Sequence, residues 1–328
     1  MPEVSIIIPA RNEEKFIGRC LKSIISQDYP KGSLEILVID GFSQDKTREI
    51  VEKYKIQATS CKLRLLDNPK KFTPFGLNIG VKNSRGEIII RMDAHAEYEK
   101  DYISKCVKYL KEYRADNVGG AIKTLPSENT ATAKSIAAVL SGPMGAASAF
   151  RLGSVKTIET DTVFGGCYRK DVFDKVGLFD ERMLRSQDIE FNKRLKKSGG
   201  KIILAPDIRS VYYPQATLSG FLKHNFLDGF WVTYPLKFKI RYFSLRHLMP
   251  LILTSALIVS LMISFSLPGK MIFILIFGPY LFFVILASLR IFLKEGLKCF
   301  LVTPSVIFCR HFGYGLGSLW GLIRCAMK

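Results

Sequence analysis

From Leu248 to Leu267 the chain runs about twenty residues without a charge, enough for a helix to cross a hydrocarbon core of roughly 30 Å. Met271 to Leu289 is a second uncharged run. Only Pro268, Gly269 and Lys270 separate the two, so they read as a hairpin of helices over about 248–267 and 271–293. A third apolar stretch, 299–323, is interrupted by Pro304, Arg310, His311 and four glycines. It fits either a third span or an interfacial or re-entrant segment, because a central Arg and His are costly when they face lipid. Arg241 and Arg246 precede the first run, and Arg290, Lys294 and Lys298 follow the second. The positive-inside rule then puts both ends of the hairpin in the cytoplasm, together with the polar region before it. The expected location is the inner cell membrane, multi-pass. The opening Met1-Pro2-Glu3 leads straight into Val4 to Ile8, which is too short and too β-branched for a secretory signal.

Before about residue 235 the pattern changes to charges mixed with short apolar runs. Val4 to Ile8, Leu34 to Ile39 and Gly86 to Met92 read as strands from their Ile and Val content. Between them, Phe16, Ile17, Cys20, Leu21, Ile24 and Ile25 recur at helical spacing, and Asp45 opens a second helix toward Tyr54. Strands alternating with helices predict an α/β sandwich around a mostly parallel sheet, and such sheets bind ligands at the carboxyl ends of their strands. The three strands end at Pro9-Ala10-Arg11-Asn12, Asp40-Gly41-Phe42-Ser43 and Asp93-Ala94-His95. Small residues, an amide, carboxylates and an imidazole at one sheet edge are what a nucleotide and a metal-bound diphosphate require.

The net charge of +19 suits nucleic acid or an anionic membrane surface. Given the apolar runs, and basic residues scattered rather than interleaved with aromatics, the bilayer is the expected partner and nucleic acid is not. The seven cysteines include no Cys-x-x-Cys pair and read as free thiols. Thr217 to Tyr234 is amphipathic, with Trp231 and Tyr234 placed for headgroup depth, and reads either as an interfacial helix or as one packed on the domain before it. Residues 127–160, rich in Ser, Ala, Gly and Thr, are the expected mobile segment. The resulting plan is a domain over 1–215, amphipathic juxtamembrane helices over 216–247 and a membrane domain over 248–328.

Five stretches carry a resemblance. Ser5 to Glu13, Val38 to Asp45, Arg91-Met92-Asp93-Ala94-His95-Ala96, Phe164-Gly165-Gly166-Cys167-Tyr168-Arg169 and Gln187-Asp188 fall in the order found in the inverting GT-A glycosyltransferases of family 2. The match covers about residues 4–215. The Asp-Ala-His-Ala form and the trailing apolar hairpin resemble more narrowly the succinoglycan-type (ExoA-like) exopolysaccharide glucosyltransferases.

The resemblance implies a GT-A fold and a hexosyltransferase that uses a nucleotide-sugar donor, UDP-sugar favoured, and a lipid-linked acceptor. Asp93 takes the place of the first acid of the family's Asp-x-Asp motif, which holds a divalent cation, Mn²⁺ or Mg²⁺, on the donor diphosphate. The second acid is replaced by His95, a metal or phosphate contact better suited to Mn²⁺ than to oxygen-loving Mg²⁺. Asp188 matches the catalytic base, with Glu190 as its rival. The family's usual Glu-Asp pair is Gln187-Asp188 here. Asp40 resembles the uracil or ribose contact, Pro9, Arg11 and Glu13 the loop flanking the nucleotide, and Gly165, Gly166 and Gln187 the acceptor side. A processive synthase is disfavoured, since no Gln-x-x-Arg-Trp motif is present; a polyprenyl-phosphate sugar synthase and a non-catalytic nucleotide-sugar scaffold remain as alternatives.

Overall fold

The computed structural model describes residues 2–57, 61–145, 148–152 and 156–327. In chain order the elements are β1 (Val4–Ala10), α1 (Ile17–Ile25), β2 (Leu34–Asp40), α2 (Thr47–Gln57), β3 (Lys62–Asp67), α3 (Thr73–Asn83), β4 (Ile88–Arg91) and β5 (Ala96–Tyr98). They continue with α4 (Tyr102–Glu112), β6 (Asn117–Thr124), α5 (Ala131–Leu140), α6 (Ala149–Leu152), β7 (Ile158–Glu159), β8 (Phe164–Arg169), α7 (Asp171–Val176), α8 (Gln187–Lys197) and β9 (Ile202–Tyr212). Four helices follow: α9 (Leu218–Thr233), α10 (Leu245–Met262), α11 (Leu267–Glu295) and α12 (Leu297–Ala326). Two compact units result. One comprises Met1–Lys123 with Ser148–Tyr212, the other Thr124–Ala147 with Tyr213–Lys328.

The first unit is built on one sheet in the order β3-β2-β1-β4-β8-β6-β9-β5, with β7 against β9. Strands β3, β2, β1 and β4 are parallel, and β8 then runs antiparallel to β4. Alternate residues of β1 point to opposite faces. Ile6 and Ile8 bury against Cys20, Leu21 and Ile24 of α1 and Ile103 and Val107 of α4. Ile7 buries with Leu77 and Val81 of α3 and Phe191 and Leu195 of α8. A sheet covered on both faces explains why β1, β2 and β4 read as unbroken apolar runs. The glycines of α3 serve this packing: a Cβ on Gly80 would fall 2.9 Å from the Ile7 side chain.

The register decides what meets at the sheet edge. Ala10 pairs with Asp40, and Ile7 with Arg91, so the carboxyl ends of β1, β2 and β4 lie side by side. Because β8 runs the other way, with Ile90 opposite Cys167, its start at Phe164-Gly165-Gly166 comes to the end of β4.

The second unit holds two helices, Leu245–Met262 and Leu267–Glu295, long and apolar enough to cross a membrane, with mean hydropathies of 1.7 and 2.6. Only 17% and 11% of those stretches are buried, so they are not core helices of a water-soluble bundle. Phe265, Leu275 and Leu293 stand almost bare. Length and hydropathy suit this region to membrane association. The turn between the two helices comes earlier than the sequence reading placed it. Pro268, Gly269 and Lys270 form the first turn of α11, capped by Ser266 Oγ accepting from the Gly269 amide at 3.2 Å, because proline is favoured where the amide needs no intrahelical partner.

The third apolar stretch is one continuous helix, α12, and its glycines explain it. Gly313, Gly317 and Gly321 recur every fourth residue and face α9: a Cβ at Gly313 would crowd Leu222, at Gly317 the Phe226 carbonyl, and at Gly321 Thr233. Small residues at this spacing let two helix backbones approach closely. Arg310 donates to the buried Asn225 side chain and lies over the Tyr314 ring, and His311 Nε2 meets the Met144 carbonyl at 2.8 Å. Both polar side chains are thereby satisfied inside the unit.

The segment 124–147, counted on sequence with the first domain, belongs to this second unit. Ile136, Val139 and Leu140 of α5 bury with Phe221, Val306 and Ile307, and Ser135 Oγ donates to the Cys299 carbonyl at 3.2 Å. Of the stretch expected to be mobile, α5 is an ordinary helix, while 146–147 and 153–155 lie outside the described residues. All seven cysteines are free thiols.

Candidate active site

At the end of β4 a single guanidinium joins two acidic residues far apart in sequence. Arg91 Nη2 donates to Asp93 Oδ1 at 3.0 Å, and Nη1 donates to Asp188 Oδ2 at 3.2 Å. The Arg91 side chain is only 9% exposed, against 16% for Asp93 and 28% for Asp188. Burial by itself disfavours the charged guanidinium, but Asp93 and Asp188 outweigh that penalty and hold its pKa above the ordinary arginine value. Arg91 Nε is buried with no hydrogen-bond partner among the described residues. Sequence reasoning gave Arg91 no role. The available signal was a charge closing a strand of three isoleucines, a place where an ion survives only if paired.

Asp188 sits at the second position of α8, a helix that starts directly after Ser186, whose φ of +56° bends the chain into it. Its Oδ1 accepts from the Ile189 amide at 2.9 Å, so the carboxylate is held at both oxygens and still faces solvent in part. Glu190, the rival base, is in a different situation. It is 8% exposed and clamped by Arg194, whose Nε and Nη2 donate to its two oxygens at 2.6 and 2.8 Å. A carboxylate in a buried two-point clamp is a structural ion pair. Gln187 is also buried.

Gly165 and Gly166 have φ of +70° and +120°, a conformation that side chains resist. A Cβ on Gly165 would lie 2.9 Å from the Arg91 carbonyl, and one on Gly166 would run into the Tyr168 ring. The pair is therefore fixed as glycine by its positive φ, by the Arg91 backbone at Gly165 and by the Tyr168 ring at Gly166.

His95 Nδ1 meets Glu13 Oε1 at 3.1 Å, and its ring packs edge-on to Tyr212. Burial lowers the imidazole pKa, but the hydrogen bond to Glu13 and the charges of Glu13 and Asp93 raise it more, and the net shift is upward. With Nδ1 engaged by a carboxylate, any ligand bond from this ring falls to Nε2. Asp93 is anchored through its backbone, its amide donating to Tyr98 Oη at 2.7 Å. Asp93 and His95 together offer one carboxylate and one imidazole, a mixed oxygen and nitrogen set that fits a transition-metal cation better than Mg²⁺. Among the described residues no group of three or more His, Cys, Asp or Glu gathers to hold a metal alone.

Asp40, read as a nucleotide contact, is fully buried, and its partners are internal. Oδ2 accepts from Arg48 Nη1 at 2.7 Å and from the Ser43 amide at 3.1 Å, while the same Arg48 nitrogen reaches Asp67 at 2.7 Å. The groups it leaves toward solvent are Arg48 and Asp67, neither singled out from sequence. Pro9 is half-buried near the end of β1, and the exposed Arg11 lies in the following loop, which is stitched to the chain after β2: the Asn12 amide donates to Ser43 Oγ at 2.9 Å and the Glu13 amide to Oγ1 of Thr47, the first residue of α2, at 2.7 Å.

A parallel sheet with acidic and imidazole groups at its carboxyl edge, faced by a glycine pair and a helix-borne carboxylate, is an architecture for handling a phosphorylated ligand. The chain belongs to glycosyl transferase family 2, whose sequence profile matches residues 5–177, and it is a glycosyltransferase. It is 29% identical over 326 residues to the dolichyl N-acetyl-α-D-glucosaminyl phosphate 3-β-D-2,3-diacetamido-2,3-dideoxy-β-D-glucuronosyltransferase of Methanococcus voltae, covering 98% of this chain and 97% of that one. It is 28% identical over 242 residues to the succinoglycan biosynthesis protein ExoA of Rhizobium meliloti, covering 68% and 72% respectively. Among solved structures it resembles the mannosyltransferase PcManGT of Pyrobaculum calidifontis in complex with GDP-Man and Mn²⁺, with a TM-score of 0.63 over 97% of this chain and 87% of that one. At 19% identity the last likeness concerns the fold alone, which is the GT-A α/β architecture expected.

Proposed function

We propose that this enzyme transfers a sugar, with inversion at the anomeric carbon, from a nucleotide diphosphate donor to a lipid-linked saccharide or polyprenyl phosphate in the membrane. The observation that carries the reading is the Arg91 bridge, which ties the acid suited to the donor side, Asp93, to a single partly exposed carboxylate, Asp188. In the proposed step Asp188 takes the proton of an acceptor hydroxyl as that oxygen bonds to the anomeric carbon. The bond to the diphosphate breaks on the opposite side, and its electron pair leaves with the phosphate oxygen. A divalent cation on Asp93 and His95 would neutralise charge building on the leaving diphosphate.

Glu13 orients His95 through Nδ1, and Arg91 holds Asp93 and Asp188 in place. Gly165 and Gly166 open the acceptor side, where a sugar approaches backbone, Pro9 and Arg11 frame the nucleotide, and Asp40 acts from behind through Arg48. The two apolar helices form a hairpin with the transferase domain on the cytoplasmic side, and the dolichyl N-acetyl-α-D-glucosaminyl phosphate in the Methanococcus relative's name supports a membrane-borne substrate here.

The test uses purified full-length enzyme in detergent, supplied with labelled UDP- and GDP-sugars and a membrane lipid extract. Label is expected to enter the organic phase from one donor, a UDP-sugar being favoured, with Mn²⁺ at least as effective as Mg²⁺ and excess EDTA abolishing transfer. Full activity in excess EDTA would remove the cation from the account, and label confined to water-soluble products would remove the lipid acceptor.

A further inference from the structure

The loop after β2 holds a bulky residue in a conformation it resists. Phe42 has φ +57°, in the left-handed region where an aromatic residue is a true outlier. The loop allows it no relaxation. The Gly41 amide donates to the Ala10 carbonyl at 2.8 Å, the Ser43 amide to the Asp40 carboxylate at 3.1 Å, and Ser43 Oγ accepts from the Asn12 amide at 2.9 Å. The strain gains little burial in return, since Phe42 is 48% exposed. Glycine or asparagine would take this turn more easily. A strained backbone that presents an apolar ring to water at the carboxyl edge of a parallel sheet points to use of the ring.

Its surroundings say what would use it. Lys71, itself left-handed at φ +66°, places Nζ 6.0 Å from the Phe42 ring centroid, at the outer limit of a cation–π contact. A Cβ built on Gly41 would fall 3.3 Å from Cβ and Cδ of Arg11 and 3.1 Å from the Lys71 carbonyl, so the Arg11 stem and the Lys71 backbone both pack against this loop. A half-exposed aromatic face with a lysine ammonium beside it suits a planar heterocycle that carries phosphate. We propose that Phe42 is the platform on which the base of the donor nucleotide stacks, with Lys71 alongside. The proposal rests on the nucleotide-sugar reading given above.

Calorimetry on the full chain in detergent, with Mn²⁺ present, separates the two. The probes are UDP, GDP, dTDP and inorganic diphosphate, and the variants are Phe42→Gly and Phe42→Tyr. Phe42→Gly is expected to weaken the preferred nucleotide by about tenfold or more, the usual share of base stacking on an aromatic. Diphosphate binding should be unchanged, and the thermal midpoint should stay at or above the parent's because the strain is relieved. Phe42→Tyr should restore nucleotide affinity. A Phe42→Gly chain that binds nucleotide like the parent, or that loses diphosphate and nucleotide equally, would overturn the platform alone. A parent chain that binds diphosphate but none of the nucleotides would overturn the donor reading and the platform with it.

Discussion

Asp188→Asn is expected to bind the donor nucleotide as the parent does and to transfer sugar roughly 10²- to 10⁴-fold more slowly, the usual share of general-base catalysis. Asparagine keeps the size of the side chain, and its single oxygen can go on accepting from Arg91 while its NH2 replaces the oxygen that faced the Ile189 amide, so the bridge stays in place and one contact at the start of α8 is lost. What it loses is the ability to take a proton. Glu190 offers no substitute, because both of its oxygens are engaged by Arg194. The effect should therefore fall on turnover and leave donor affinity nearly untouched, the signature of an interaction made only in the transition state. Single-turnover transfer measured beside nucleotide calorimetry checks this. Near-normal transfer by Asp188→Asn would move the base elsewhere.

Arg91→Met should damage folding and donor binding together. Methionine fills much of the volume but leaves Asp93 and Asp188 without the cation that bridges them, in a place where the arginine is 9% exposed. Removing one partner of a mostly buried ion cluster costs about 3 kcal/mol or more, since the carboxylates left behind are unpaired. Arg91→Lys should recover only part of the loss, because a single ammonium cannot fork between two carboxylates as a guanidinium does. Denaturant midpoints and Mn²⁺-dependent nucleotide affinity report the two effects separately. An Arg91→Met chain as stable as the parent, with parental affinity, would show that the bridge is incidental.

The contrast between Arg91 and the residues read from sequence shows what a linear pattern carries. β1, β2 and β4 were legible because a sheet buried on both faces demands unbroken Ile and Val, and their ends were legible because polar residues follow at once. Asp93, Gly165, Gly166 and Asp188 could be named as candidates, and the structure brings them around one arginine. That arginine was invisible in its role. Its two partners lie 2 and 97 residues away, and only the fold makes the second a neighbour.

Asp40 illustrates the reverse case. The residue type was conspicuous at a strand end, but burial under Arg48 makes its nearest work structural, which no local pattern reveals. For α12 the signal was present in the four-residue spacing of Gly313, Gly317 and Gly321. Hydropathy alone pointed to lipid, whereas close packing on α9 and the Asn225 partner of Arg310 account for the same residues.

The central claim, direct displacement assisted by one base, is tested most directly by the configuration of the bond the enzyme makes. With an α-linked nucleotide sugar as donor and the lipid product isolated intact, the anomeric coupling of the transferred sugar is read by proton NMR. One displacement with Asp188 as base predicts a β-linked product. An α-linked product would require retention, which a single in-line attack cannot give, and would contradict the account.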